Sequence, residues 1–342
     1  MTNRVLVIVL AETRAHELTF AAFKQNLLDR LGADLALCVG DGPREVPNPF
    51  YEHAKYVWKF AESKMAGHED WSAAMDELAE GRNWRHLLEI PDSWMSGIKD
   101  PVHYWPGGGH LLLVFREFLR RSIDTAGILD RYDWLIITRS DMMYPIAHPS
   151  LDLFSTDHIW VPDGERYNGF TDRHILVPKK YFRRFLDLTR DIFEKPDDLT
   201  RRMKALGRAW NTESFIKFRF HEMGLLERVR FSPYFMYLVR AADGHTRWSA
   251  GDYNVQLRLF IKYRKEYSSS LAIQGLISEE DDWRHFIGWR RFFNWRMYAY
   301  ALMRTSAERY EIPTRFRSLR MIKRFAILML QPIETGKIDR IR

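Results

Sequence analysis

Two charged residues directly follow a short apolar run and are the first candidates for chemistry. Residues 135–137, Leu-Ile-Ile, are typical of a strand buried on both faces of a parallel sheet. Arg139 and Asp141 come next, at the carboxyl end, where open α/β sheets bind their ligands. A carboxylate there can hold a divalent cation, and the cation can hold a diphosphate. The alternative is a strand end at which Arg139 and Asp141 pair with neighbouring side chains.

A second group of candidates lies further along the chain. Residues 163–174 join two apolar segments and are rich in carboxylates, cations and amides, as binding loops on a rigid scaffold often are. Glu213 follows Asn211 and Thr212, either of which could cap a helix. The helix dipole would then favour its carboxylate in the first turn. From position alone, that structural role explains Glu213 better than a functional one.

The order of the elements that must position these residues predicts an α/β fold. Apolar runs predict strands at 5–10, 33–39, 135–137, 158–162, 175–178 and 229–231. Amphipathic stretches predict helices at 18–31, 110–129 and 179–193. The opening strand–loop–helix–strand is typical of nucleotide-binding domains. Its loop lacks a glycine-rich phosphate motif, and the alternative is therefore a βαβ unit that binds no ligand. Residues 43–105 are irregular, apart from a short helix predicted at 71–80, and cannot be assigned to the sheet.

The composition is that of a soluble globular protein. Its 342 residues are enough to bury a full core, as one large domain or two. The single cysteine, Cys38, excludes an intrachain disulfide and a cysteine-cluster metal site, and is typical of a reducing compartment. No apolar stretch is long enough to span a bilayer, and the run at 5–10 is typical of a first strand rather than a signal peptide. We therefore expect a protein that is cytoplasmic or peripheral to a membrane.

The positive charge is concentrated near the C-terminus. Residues 281–342 contain 14 Lys and Arg against six Asp and Glu, whereas the net charge of the whole chain is +7. A nucleic-acid-binding role for the whole protein is therefore not supported. The same region carries Trp, Phe and Arg at helical spacing, which suits a helix lying in the interface of an anionic membrane. The alternative is a helical cap that packs its aromatic side chains on the rest of the protein.

Three motifs occur in order along residues 4–245. They are the loop Glu12-Thr13-Arg14 with a following helix that carries Phe20 and Phe23; Tyr132-Asp133-x-x-Ile136-x-x-Arg139-x-Asp141-x-x-Tyr144; and Asn168-Gly169-x-x-Asp172-Arg173, followed by a helix and Asn211-x-Glu213. This pattern resembles bacterial lipopolysaccharide and capsule glycosyltransferases of the GT-A type, including the WavE-like group. In these, Arg-x-Asp takes the position of the usual Asp-x-Asp.

The resemblance implies a fold, an activity and a location. The fold would be a GT-A-like, single Rossmann-type mixed sheet flanked by helices in a catalytic domain at 1–250, followed by a basic, aromatic helical region at 251–342. The activity would be hexosyl transfer from a nucleotide sugar to a saccharide or lipid-linked acceptor in surface polysaccharide synthesis. The protein would be cytoplasmic and peripheral to the inner face of the cytoplasmic membrane, held there by its C-terminal region.

The resemblance also implies roles for individual residues. The donor would be bound by Glu12, Arg14, Arg139, Asp141, Asn168, Gly169 and Arg173. Asp141 would hold Mg²⁺ or Mn²⁺ on the diphosphate, because the departing diphosphate must be stabilised by a metal or an arginine. Asp172 and Glu213 are the candidates for the base that inversion requires, or for orienting the acceptor. Since Arg139 replaces the first carboxylate of Asp-x-Asp, it could take over part of the metal's role, and a metal-independent enzyme stays open.

Two other classes of protein fit some of these features. A metal-dependent phosphoesterase could use the same acidic edge, but the sequence lacks His/Asp clusters suited to two metals. A membrane-associated binding or assembly protein could keep the fold without catalysing sugar transfer. The one indication of this is Arg139, which replaces the first carboxylate of Asp-x-Asp. The sequence does not indicate an oligomeric state.

Overall fold

A mixed seven-stranded sheet runs through the centre of the molecule in a computed structural model. The structure describes residues 3–40, 47–60, 71–90, 93, 97–99, 104–106, 110–242, 251–275, 277, 283 and 287. The strands are β1 (Val5–Ala11), β2 (Asp34–Gly40), β3 (Ala54–Phe60), β4 (Gly97–Lys99), β5 (Tyr104–Pro106), β6 (Trp134–Thr138), β7 (Met142–Met143), β8 (Ile159–Pro162), β9 (Ile175–Pro178), β10 (Val229–Ser232), β11 (Tyr237–Arg240), β12 (Asp252–Asn254) and β13 (Leu259–Ile261). The helices are α1 (His16–Phe23), α2 (Pro49–His53), α3 (Trp71–Ala79), α4 (His110–Ala126), α5 (Phe182–Leu186), α6 (Arg190–Glu194), α7 (Pro196–Ala205), α8 (Thr212–Glu222) and α9 (Arg264–Gln274).

The strand order of the large sheet is β10-β8-β9-β6-β1-β2-β3. Strands β6, β1, β2 and β3 are parallel to one another, β8 is parallel to β10, and β9 is antiparallel to both of its neighbours. The residues that follow β1, β6 and β8 therefore meet at one edge with the residues that precede β9. The predicted α/β fold, with a mixed sheet flanked by helices, is confirmed.

Alternate side chains of β1 enter two different cores, one on each face of the sheet. Leu6 and Ile8 belong to the core that α4 covers, and Val7 and Val9 to the core that α1 covers. Every residue of β1 and of β6 is buried. The uninterrupted apolar run is thus explained by burial on both faces, as the sequence predicts for β6.

Several predicted elements are confirmed and two differ. The first helix continues past α1 as a π-helical stretch, Lys24–Asp29, and the chain turns at Gly32, whose φ is +57°. The unassigned region contains β3, which pairs with β2 and lies at the sheet edge with alternating exposure. The helix predicted at 179–193 is instead broken into the short helices α5 and α6, joined by the 3₁₀ turn Asp187–Thr189.

A second, four-stranded sheet of order β12-β13-β11-β7 begins directly after Asp141. It joins residues from both sides of the domain boundary predicted at 250, and that boundary stays a prediction. The membrane-binding helix predicted in 281–342 lies outside the described residues except for Trp283 and Ile287. These two are buried, with the Trp283 ring 5.4 Å from the ring of Phe235. Within the described part of the chain, every helix is too short or too polar to cross a membrane.

Candidate functional site

The loop after β1 is fastened to the corner between β6 and β7. Ser140 Oγ donates hydrogen bonds to the carbonyl oxygens of Glu12 and Arg14, both at 2.9 Å, and Thr19 Oγ1 donates to the carbonyl oxygen of Ser140 at 2.6 Å. Ala11 and Ala15, which flank this loop, have φ values of +83° and +56°. Strained backbone of this kind is found mainly where function requires it. These contacts fix the main chain from which the Arg14 side chain extends.

Three arginines surround the carboxylate of Asp141, whose side chain is only 1% exposed. Arg139 donates to both of its oxygens, from Nε to Oδ1 and from Nη2 to Oδ2, each at 3.0 Å. Arg240 Nη1 also donates to Oδ2. Arg14 Nε lies 3.6 Å from the same oxygen, and Arg14 Nη2 forms an ion pair with Glu12 Oε2 at 2.9 Å. We call Arg14, Arg139 and Arg240 the arginine cluster.

The second sheet supplies Arg240, together with Lys262. Val239 N donates to the carbonyl oxygen of Asp141 at 3.0 Å, which aligns the end of β11 with the predicted site. Lys262 follows β13, and its backbone N–H donates to Leu238 O, also at 3.0 Å. Neither cation was among the site residues predicted from the sequence. Each lies at the end of a short strand far along the chain. The pairing of β7, β11 and β13 brings Arg240 to Asp141 and Lys262 within electrostatic range of the arginine cluster.

The electrostatics of this group favour an anion. Burial alone would raise the pKa of Asp141, but the charges of Arg139, Arg240 and Arg14 outweigh it, and the pKa lies below its ordinary value. Burial also lowers the pKa of Lys262 to about 8, with added repulsion from the nearby arginines. Three guanidinium groups face the carboxylates of Asp141 and Glu12, and the Lys262 ammonium group lies within electrostatic range of all three. Positive charge is therefore in excess there.

The loop 163–174 lies directly on the first turn of α8. Asn211 caps that helix by accepting from Ser214 N at 2.7 Å, and its Nδ2 donates to Tyr167 O at 3.0 Å. A Cβ atom on Gly169 would lie only 1.8 Å from Glu213 O, so only glycine allows this approach. Asn168, which is exposed, has a φ of +67°, a conformation that asparagine tolerates better than most residues.

Asp172 and Glu213 are close enough for the charge of Asp172 to act on the carboxyl group of Glu213. Burial and then the charge of Asp172 raise the pKa of Glu213 to about 7. Asp172, which is buried, also acts electrostatically on Arg139. The two predicted catalytic carboxylates therefore lie within electrostatic range of each other, and Asp172 also lies within electrostatic range of Arg139. A carboxylate with a pKa near 7 can accept a proton at neutral pH.

A buried arginine on α4 faces this carboxylate pair and was also missed. The charges of Asp172 and Glu213 act on Arg116, and its Nε and Nη2 have no hydrogen-bond partner among the described residues. Burial lowers its pKa. Its sequence position carried a signal, because Arg116 shares the helical stripe of Leu119 and Ile123, which are both buried. A cation on the apolar face of a helix indicates a buried partner.

Arg173 is placed differently from the other predicted donor-binding residues. Its Nη2 donates to Glu266 Oε1 at 2.7 Å and to Glu165 O at 2.8 Å, and the guanidinium carbon lies 4.3 Å from the ring centre of Tyr263. Arg173 thereby holds the loop 163–174 against α9. Its contact with a donor stays a prediction, as do those of Glu12, Arg14, Arg139, Asp141, Asn168 and Gly169.

The group around Asp141 does not fit the Mg²⁺ or Mn²⁺ that the resemblance implies. Both carboxylate oxygens already accept hydrogen bonds from guanidinium groups, and a dication would lie against three like charges. Hard divalent cations take several oxygen ligands. No cluster of three or more His, Cys, Asp or Glu side chains that could hold a metal ion occurs in the described ranges.

Comparison with known proteins adds no argument about the fold or the activity of this chain. No protein-family model matches the sequence, and no curated protein matches it. Among solved structures, mouse xyloside xylosyltransferase 1 in its apo form is similar at 13% sequence identity, over 67% of this chain and 84% of that chain, with a TM-score of 0.35. A similarity at that level carries no argument about activity. The mixed seven-stranded sheet flanked by helices agrees with the predicted α/β architecture, and its GT-A character stays a prediction.

Proposed function

We propose that the protein is a glycosyltransferase that moves a sugar from a nucleotide sugar to an acceptor hydroxyl. The observation that carries this proposal is the juxtaposition, at one sheet edge, of the arginine cluster and the pair Asp172 and Glu213. The arginine cluster suits the binding of an anion, and the carboxylate pair suits the acceptance of a proton. Sugar transfer from a diphosphate needs both.

The reaction assigns a task to each half. The acceptor oxygen forms a bond to the anomeric carbon of the sugar, while the bond from that carbon to the diphosphate oxygen breaks and its electron pair leaves with the diphosphate. Guanidinium groups held in place before the reaction stabilise that developing charge. If the configuration inverts, the acceptor proton goes to the carboxylate of Glu213 or Asp172. Glu213 suits this role because its pKa is raised to about 7.

The finer parts of the proposal rest on the sequence resemblance. They are that the transferred group is a hexose, that the acceptor is a saccharide or a lipid-linked sugar, and that the product is a bacterial surface polysaccharide. A location at the inner face of the cytoplasmic membrane is supported by the basic, aromatic composition of 281–342. Truncation after Ile287 tests that location, since Trp283 and Ile287 belong to the core. The truncated protein should no longer sediment with anionic liposomes, and unchanged sedimentation would reject a membrane role for the removed segment.

A melting-temperature screen tests the proposed activity. UDP-, GDP-, CMP- and dTDP-sugars are added with and without Mn²⁺, and the correct donor should raise the melting temperature by several degrees. At a hundredfold excess over Kd, a ligand stabilises the native state by about 2.7 kcal/mol. The bound donor should also be hydrolysed slowly, with release of free sugar, and Asp172→Asn should abolish that release. No shift with any donor would overturn the proposal. A shift without any turnover would favour the non-catalytic binding protein.

A further inference from the structure

We infer that this protein binds the diphosphate of its ligand directly through Arg14, Arg139, Arg240 and Lys262, without a divalent cation. Asp141 is then a positioning residue that holds the guanidinium groups in place. The inference deepens the proposed function. It rests on that function only for the identity of the groups attached to the diphosphate. It assigns to side chains of this chain the role that a metal ion would otherwise fill.

The first support is that both oxygens of Asp141 already accept hydrogen bonds from guanidinium groups. Oδ1 accepts from Arg139 Nε, and Oδ2 accepts from Arg139 Nη2 and from Arg240 Nη1. A cation bound to both oxygens would lie against these guanidinium groups and would have to displace at least one of them. With an exposed fraction of 1%, the carboxylate also lacks a face from which a hydrated ion could approach.

The second support is that the arginine cluster still has donors to offer. A guanidinium group carries five N–H donors, and Asp141 takes only two from Arg139 and one from Arg240. Arg240 Nε is buried and has no hydrogen-bond partner among the described residues. The side chains of Arg139 and Arg14 are 21% and 30% exposed, so their remaining donors are accessible to a ligand. Planar guanidinium forks match the geometry of phosphate oxygens.

The third support is the charge of Lys262. Its ammonium group is half-buried and lies 5.8 Å from the ring centre of Tyr263. The charged groups within electrostatic range of it are Arg14, Arg139, Arg173 and Arg240. Like charges held together in the free protein repel one another, and a bound dianion would relieve that repulsion. Burial and these charges lower the pKa of Lys262 to about 8, so its positive charge is lost above that pH and affinity for an anion should fall there.

A second basic region must be separated from this one in any experiment. A cavity of about 690 Å³ lies at the opposite, amino-terminal edge of the sheet, and its lining includes Arg4, Lys55 and Arg131. It too could attract a phosphate group. Arg4 precedes β1 and pairs with Asp133, so a substitution at Arg4 perturbs that cavity and not the arginine cluster.

The test is a calorimetric titration of the full-length protein with UDP, GDP and inorganic pyrophosphate. Protein and buffers are passed over a chelating resin, because a soluble polycarboxylate chelator could itself compete for the arginines. At least one diphosphate should bind at pH 7 without metal, and adding Mn²⁺ should change Kd by less than about threefold. Binding that requires Mn²⁺, or sulfate that binds as tightly as pyrophosphate, would overturn the inference.

Variants then locate the binding site. Lys262→Met should weaken diphosphate binding about tenfold or more, since a hydrogen bond to a charged group contributes about 1.5–3 kcal/mol. Lys262→Arg should keep the affinity and remove its decline above pH 8. Arg240→Met should weaken diphosphate binding to a similar extent. If that buried substitution prevents folding, the affinity of the Lys262→Met variant decides the test.

Two substitutions at the opposite edge serve as controls. Arg4→Met and Lys180→Met should stay within about twofold of the native protein, the second because Lys180 is an exposed residue just after β9. Loss of binding in Arg4→Met would place the diphosphate in the other cavity and overturn the inference.

The outcomes also separate this inference from the proposed function. Metal-free binding of a diphosphate without sugar transfer would leave the inference standing and remove the transferase. Sugar transfer that proceeds only with a divalent cation would support the transferase and overturn the inference.

Discussion

Replacing Glu213 with glutamine is expected to stabilise the protein at pH 8 and to abolish sugar transfer. Burial and the charge of Asp172 raise the pKa of Glu213 to about 7, from 4.5 in an exposed carboxyl group. A raised pKa means that the folded protein disfavours the ionised carboxylate. Above pH 7 this carboxylate therefore lowers the free energy of unfolding, and glutamine, of similar shape and without charge, removes that effect.

The size of the effect follows from the shift. A change of 2.5 pKa units corresponds to about 3 kcal/mol, and this is an upper limit because Glu213 is partly exposed. The carboxylate also interacts favourably with the N-terminus of α8, which is worth about 0.3–1 kcal/mol and is lost in the variant. The net gain should therefore be about 2 kcal/mol above pH 7. It should fall as the pH drops from 7 to 4.5, below which Glu213 is protonated in both folded and unfolded states.

Urea unfolding at pH 5 and at pH 8 measures this difference. Glu213→Gln should raise the midpoint at pH 8 clearly more than at pH 5. Glu227→Gln is the matched control, because Glu227 is exposed, and its effect should stay within about 0.5 kcal/mol at both pH values. A destabilised Glu213→Gln protein at pH 8, or an equal effect at both pH values, would refute the reasoning and leave the helix dipole as the main role of this carboxylate.

Two further substitutions test how the loops are held at the site. Gly169→Ala places a Cβ 1.8 Å from Glu213 O, so it should cost about 1–3 kcal/mol in thermal unfolding and weaken donor binding. Gly207→Ala, where a Cβ meets no atom within 4 Å, should leave donor binding unchanged, and equal binding losses in both would contradict this account. Ser140→Ala removes the hydroxyl group whose single proton is shared between the partly buried carbonyl oxygens of Glu12 and Arg14, and it should cost about 1–3 kcal/mol. It should raise the donor KM more than it lowers kcat, because Arg14 loses its fixed main chain, and an unchanged KM would show that the loop is held by other contacts.

The sequence predicted the large sheet and half of the site for a physical reason. An apolar run without polar interruption indicates burial on both faces, which identified β6 and placed Arg139 and Asp141 at its carboxyl end. The first inference used a local pattern and the rule that open α/β sheets bind ligands at the carboxyl ends of their strands. Asp172 and Glu213 were assigned to the same site only through the resemblance to glycosyltransferases that the order of the motifs carries.

The remaining parts of the site depend on contacts between distant segments. Arg240 lies 99 residues after Asp141, and Lys262 further still. A lone cation at the end of a strand is ordinary in sequence, and its burial beside Asp141 follows only from the pairing of the second sheet. The edge strand β3 was missed for another reason. It starts directly where α2 ends, without a loop to mark the change.

Arg139 connects the two halves of the site, because its charge is felt by Asp141 on one side and by Asp172 on the other. An anion bound at the arginine cluster would offset the positive charge that otherwise favours ionised carboxylates nearby. The pKa of Glu213, which burial and the charge of Asp172 already raise, would therefore rise further as the departing diphosphate gains negative charge. A base that becomes stronger as the leaving group departs can take the acceptor proton without being a strong base in the free protein. Asp141 contributes to this coupling by holding Arg139 in one orientation, rather than by touching the reacting atoms.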